Sequence, residues 1–315
     1  MSEMELKLAN EICNCPLVEI GLKDSKHPCH KIVDWQMKKW NLQNKTVSNS
    51  KLHRPEAWTG KLSKAKILFL SSNPGFDLNE NFPSWDENDW PIEKVLDFAV
   101  NRFSNQDDRK YGATDISNPH GPDRTISKSG LASNKVPHWS WVRRYVALIL
   151  DKPVSETSAI NDYVMTELVH CKSLDEKGVI AKALKTCSDK YFEKILEISP
   201  AKLIFIAGTK SGKMFAETYS ELVPKDWGKW ADPKGLSGQG YWPKSAEELK
   251  KALQEGKWNL EEQLKNSVEF EIAGLKRTFI YIARTSPGGP IYSPWSHDGL
   301  IHPELLNIWR EKLSS

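Results

Sequence analysis

Four short apolar runs stand out from an otherwise mixed chain: Lys66–Ser71 (KILFLS), Tyr163–Val169 (YVMTELV), Lys202–Ala207 (KLIFIA) and Lys276–Ala283 (KRTFIYIA). Unbroken runs of this kind suit strands covered on both faces, where alternation with polar residues is not needed. Between and around them the apolar spacing switches to helical, over 92–103, 139–150, 180–198, 210–220 and 303–313. Residues 1–40 predict a helix, a Cys-bearing loop and a second helix, and two further helices are expected near 245–254 and 258–265. Val268–Ala273 and Lys276–Ala283, joined at Gly274, predict a hairpin that ends in the last core strand. Strands separated by helices imply a parallel sheet with helices on both faces. The expected architecture is an α/β fold, a three-layer α/β/α sandwich with a central, mostly parallel four-stranded sheet. It forms one domain over 1–315, with long loop insertions near 77–138 and 224–266 over the carboxyl edge of the sheet.

The first strand runs directly into Ser71-Ser72-Asn73-Pro74-Gly75. Pro74 and Gly75 stop the strand and leave Asn73 on a rigid turn at its carboxyl end, where open α/β sheets place ligands. An amide held there can orient a water or a base; Asn also favours turns for purely local reasons.

Composition narrows the classes. No apolar run approaches membrane-spanning length, and the mixed-charge start MSEMELKLANEI is no secretory signal, so a cytoplasmic location is the default expectation. With 44 Lys+Arg against 41 Asp+Glu, the net charge of +3 permits nucleic-acid binding without arguing for it. Local clusters say more, such as Trp141-Val142-Arg143-Arg144-Tyr145, which is either a solvated helix face or a mixed aromatic and cationic surface. Several of the 13 Trp fall in loops, among them Trp85, Trp90, Trp227 and Trp242, where they either pack loops or stack on bases and sugars.

Gly208-Thr209-Lys210-Ser211-Gly212-Lys213 follows a strand and opens a helix, as a phosphate-binding loop does. It is one residue short, and Met214 stands where the magnesium-binding Ser or Thr belongs, so an ordinary strand-to-helix turn is preferred and no nucleotide cofactor is expected. The five cysteines are Cys13, Cys15, Cys29, Cys171 and Cys187. Four thiolates suffice for an iron–sulfur cluster or zinc, although the spacing alone favours unrelated buried thiols, since no C-x-x-C pair is present and C-x-C makes an awkward chelate. Glu167 sits late in an apolar strand and needs a partner or an exposed pocket, and His170 follows it closely.

Together these segments resemble the iron–sulfur branch of the uracil-DNA glycosylase superfamily. Ile67–Gly75 (ILFLSSNPG) is similar to the first motif of that family, and Thr166–Ser173 (TELVHCKS) to its second-strand pattern T-N-x-V-x-C-R. Cys187–Phe215 matches the helix–strand–Gly–helix unit that follows, and Thr278–Pro290 (TFIYIARTSPGGP) occupies the place of the final strand and its His-Pro-Ser loop. Cys15-Pro16-Leu17 resembles the Cys-x-Leu start. The matches run in order over about residues 13–290.

The resemblance implies a monofunctional glycosylase that flips a nucleotide out of DNA, expected to be double-stranded, and hydrolyses the bond between base and deoxyribose. It implies a 4Fe-4S cluster, with zinc as the alternative, on Cys15, Cys171, Cys187 and a fourth ligand. Cys29 is favoured over Cys13, which lies too close to Cys15 for comfortable chelation. Asn73 would position the attacking water, with Ser72 and Gly75 beside it and His170 near the base; Asp77 either assists as general base or caps the next segment. Phe82, with Phe76 behind it, is the candidate to stack on the flipped base, against a reading as core packing. Two departures inform substrate. Glu167 stands where uracil readers carry Asn; a carboxylate only accepts, which suits the exocyclic amine of a cytosine derivative and repels O4 of uracil. Arg284 stands near the position of the missing His and would stabilise the leaving anion. Ile291, Tyr292 or Trp295 would enter the minor groove. A cytosine reader must demand an extra substituent or it would attack its own genome, which suggests modified bases of phage DNA and a defence role. The alternatives are a uracil-DNA glycosylase of base-excision repair and a non-catalytic binder of damaged or modified bases.

Overall fold

The computed structural model describes residues 2–42, 51–101, 110–111, 116–117, 124–129, 136–225, 227, 264–282 and 303–314. Arg284, Ile291, Tyr292 and Trp295, the expected helices near 245–254 and 258–265, and much of both expected insertions lie outside the described residues. The helices are α1 (Glu3–Cys13), α2 (Leu17–Lys23), α3 (His30–Lys39), α4 (Ile92–Asn101), α5 (Pro137–Leu150), α6 (Ala181–Ile198), α7 (Thr209–Thr218) and α8 (Pro303–Ser314). The strands are β1 (Ile67–Ser71), β2 (Lys110–Tyr111), β3 (Ile116–Ser117), β4 (Tyr163–Glu167), β5 (Leu203–Ala207), β6 (Ser267–Ile272) and β7 (Leu275–Ile282). β2 and β3 pair only with each other.

The fold is α/β, with a five-stranded, mostly parallel sheet in the order β4-β1-β5-β7-β6. β1 pairs with β5 and β5 with β7 in parallel, whereas β6 runs antiparallel to β7. The four expected core strands are all present. The fifth is the first arm of the predicted hairpin, which joins the sheet at its edge because the two-residue turn at Ala273 and Gly274, both at positive φ, folds it back. The first expected N-terminal helix is α1, capped by a reciprocal Ser2–Glu5 box.

The chain forms two compact units, each assembled from several segments: Met1–Ala65, Ser71–Val136 and Ser158–Pro200 in the first, and Lys66–Leu70, Pro137–Thr157 and Ala201–Ser315 in the second. In the second unit Phe69 stacks on Phe205 at 5.0 Å between ring centroids, and Tyr145 of α5 and Trp309 of α8 meet Phe205 edge-on. Phe279 and Tyr281 alternate to the opposite face of β7, where Phe215 of α7 packs on Phe279 at 4.8 Å. Both sheet faces are therefore covered here, which is why Ile67–Leu70 and Leu203–Ile206 carry no polar alternation and are fully buried.

In the Gly208–Lys213 segment, Gly208 alone connects β5 to α7, and the other residues open the helix. Gly208 takes φ +93, and Ser211 turns its hydroxyl back onto the carbonyl of Ala207. A Cβ on Gly212 would lie 2.3 Å from the Tyr281 ring. Both glycines thus serve the turn and the close approach of helix to sheet.

Candidate active site

Every described residue of the expected site belongs to the first unit. The chain leaving β1 lies against the chain leaving β4: Leu168 N–H donates to Ser71 O and Val169 N–H to Ser72 O, both at 2.9 Å, and Ser173 N–H donates to Pro74 O at 3.1 Å. The two motifs read from the sequence are neighbours in space. Asn73 is half-buried, and its Nδ2 donates to Pro74 O at 2.9 Å and to Ser173 Oγ at 3.0 Å. Because a carbonyl can only accept, the first bond fixes which way the amide faces. The amide N–H groups are thereby used, and the side-chain carbonyl has no protein partner among the described residues.

Ser72 is buried and donates through its hydroxyl to Glu176. Glu176 and its neighbour Asp175 both take positive φ, at 55° and 51°. Non-glycine residues in that region carry local strain, of about 1–3 kcal/mol each, that surrounding contacts must hold. Gly75 is exposed, and a Cβ there would meet nothing within 4 Å. Asp77 is exposed and accepts the backbone N–H of Asn79 at 2.8 Å, the turn-capping arrangement. Glu167 ends β4 and is half-buried.

Phe82 lies in the interior, edge-on to Phe98 at 5.2 Å and 5.0 Å from His53. The ammonium of Lys172 sits 3.7 Å from its ring centroid. The packing alternative accounts for these contacts of Phe82. Phe76 also packs, edge-on to Trp35 at 5.1 Å. His170 is buried, its Nδ1 2.7 Å from Glu56 O, and burial holds its pKa down at about 4, so the ring is neutral near pH 7. It is an interior hydrogen-bonding residue, edge-on to Tyr191 at 5.4 Å.

Lys172 was not singled out in the sequence. Its side chain is 1% exposed and lies 2.9 Å from Glu56 Oε2 and 3.6 Å from Glu80 Oε2. Its backbone carbonyl accepts from Gln36 Nε2 at 2.8 Å. A strand end of alternating character, His-Cys-Lys-Ser, gave no sign of this, because Glu56 and Glu80 are distant in sequence. Ser173 and Glu176 were missed for the same reason; the available signal was a polar cluster directly after the Cys171 motif.

The cysteines separate into two environments. Cys15 follows α1, Cys29 caps the N-terminus of α3, Cys171 follows β4, Cys187 lies in α6, and all are buried and free. Burial raises the Cys171 thiol, and Cys29, Cys15 and Cys187 push it further in the same direction. Cys29 is pushed up to about 11 by burial and then by Cys15, and Cys187 is raised by burial and by Cys15 and Cys29. The Tyr191 hydroxyl is raised by burial and by the same thiols. Cys13 has different company: burial raises it to about 12, and its charged neighbours are Arg54 and Glu56. It lines a small apolar cavity with Trp58, Phe82, Val95 and Phe98.

Among the described residues, no set of three or more Cys, His, Asp or Glu side chains closes to the spacing of a single-ion site. A lone zinc holds its thiolates about 2.3 Å from one centre. Cys15, Cys29, Cys171 and Cys187 are still close enough for their thiols to act on one another electrostatically. No protein-family model matches the chain, and no curated protein matches it.

Proposed function

We propose that this protein is a monofunctional DNA glycosylase acting on a modified cytosine, with a 4Fe-4S cluster on Cys15, Cys29, Cys171 and Cys187. The observation that carries the reading is Asn73. Its amide is pinned by Pro74 and Ser173 at the carboxyl end of a central strand, leaving the side-chain carbonyl as an acceptor for a water. In this reading the base–C1′ bond breaks with its electron pair leaving on the base. The water held by Asn73 supplies oxygen to C1′ and loses a proton to a carboxylate, and the base anion is finally protonated. Two carboxylates are candidates to take that proton. Asp77 is engaged in a turn, and Glu176 is tied to Ser72, the residue preceding Asn73. The cluster, when bound, serves as a cross-link between the α1–α2 connection, α3, the loop after β4, and α6; the hydrolysis needs no electron from it. Glu167 accepts from the exocyclic amine of the base, and Arg284 stabilises the departing anion.

The test is a mass-spectrometric screen for free bases released from DNAs carrying uracil, 5-hydroxymethylcytosine or its glycosylated forms, read with alkali-sensitive strand breaks. Release of a cytosine-type base, lost in Asn73→Ala with DNA binding retained, is the expected result. Release of uracil alone moves the reading to repair. Binding without any base release or abasic site makes the protein a sensor.

A further inference from the structure

At the C-terminal end of α3, two half-exposed indoles flank the turn that follows Asn73. Phe76, the residue after Gly75, packs edge-on against Trp35 at 5.1 Å and against Trp40 at 6.0 Å, with His53 4.8 Å from its ring. Cations ride on both indoles. Lys39 Nζ stands 5.8 Å from the Trp35 ring and Lys128 Nζ 4.1 Å from the Trp40 ring. Lys51 is close enough to Lys128 to oppose its charge, which Asp77 partly offsets. Lys39, Lys51 and Lys128 are exposed, and among the described residues none is in an ion pair, whereas the adjacent Lys38 is held by Asp34 at 2.6 Å. Like charges close together, such as Lys51 and Lys128, are unfavourable in the free protein and become favourable when an anion neutralises them. Seating an ammonium on an indole face also restricts a side chain that otherwise loses rotamer freedom on binding.

We infer that Lys39 and Lys128, held over the indoles of Trp35 and Trp40, together with Lys51 beside Lys128, bind phosphates of the DNA backbone beside the nucleotide presented to Asn73. This rests on the reading of DNA as the substrate and adds a contact surface to it. Lys39 and Lys128 already lie over the rings of Trp35 and Trp40, so the surface meets phosphate first and base only after a lysine moves. It is therefore a sequence-independent anchor.

The experiment is fluorescence anisotropy of the full-length, cluster-loaded protein with a short labelled duplex of unmodified bases, over a salt series. In Lys39→Ala/Lys51→Ala/Lys128→Ala, affinity should fall and the slope of log K against log salt should flatten by about 0.9 for each lysine that meets a phosphate. The matching triple Lys→Arg variant should keep both. Wild-type affinity and slope in the triple Ala variant overturn the inference, as does preferential binding of phosphatidylserine vesicles over the duplex. Base release with lysine-independent binding sinks this surface alone; lysine-dependent binding without base release sinks the glycosylase reading alone.

Discussion

Replacing Lys172 by Met removes a buried cation and retains most of the aliphatic volume. The ammonium is 1% exposed, 2.9 Å from Glu56 and 3.6 Å from Glu80, so the variant takes this cation away from two buried carboxylates. Breaking one partner out of a buried ion pair costs about 3–5 kcal/mol, because the remaining charge keeps its desolvation penalty and loses its compensation. The ring of Phe82, 3.7 Å from the ammonium, loses a cation–π contact as well. For a unit of this size that predicts a fall in Tm of about 6–20 °C, read by thermal melting and by guanidinium unfolding monitored by Trp fluorescence. Lys172→Met combined with Glu56→Gln and Glu80→Gln removes the whole set of charges and should recover most of the loss. A single variant within about 1 kcal/mol of wild type refutes the assignment of Lys172 as the compensating charge.

Protein purified anaerobically should be brown, and Cys171→Ala should lose the colour and the bound iron while Cys13→Ala keeps both; colourless protein with one zinc overturns the cluster. Ser173→Ala removes the 3.0 Å bond to Asn73 and should lower kcat about fivefold with KM nearly unchanged, whereas Ser173→Thr retains most of the rate. Glu269, held down at about 2 by Lys276 and then Lys312, contributes stability that is present above its unfolded pKa and lost as pH falls toward about 2. Glu269→Gln should therefore destabilise by under about 1 kcal/mol at pH 7, since the ion pairs are solvent-screened, with the difference vanishing in acid melts.

The strands were legible because a two-sided sheet removes polar alternation and leaves runs such as Ile67–Leu70 and Leu203–Ile206. The ends of α4 to α8 fell within a few residues of their expected positions, since they depend on local spacing and on breakers such as Pro303 and Gly208, whereas α2 lies in the stretch expected to be a Cys-bearing loop. The order Ser72-Asn73-Pro74-Gly75 marked the turn for the same local reason. The sequence could not show what touches that turn. That Asn73 is pinned by Ser173, that Ser72 holds Glu176, and that Lys172 neutralises Glu56 and Glu80 all join residues far apart in the chain. The choice between Cys29 and Cys13 had the same character: adjacency to Cys15 argued against Cys13, but its place beside Arg54 and Glu56 is a property of packing. Local chain chemistry determined the elements and the turn that carries Asn73. Tertiary structure alone decided its partners, because electrostatic and hydrogen-bonding environment is set by distance through space, which folding rewrites.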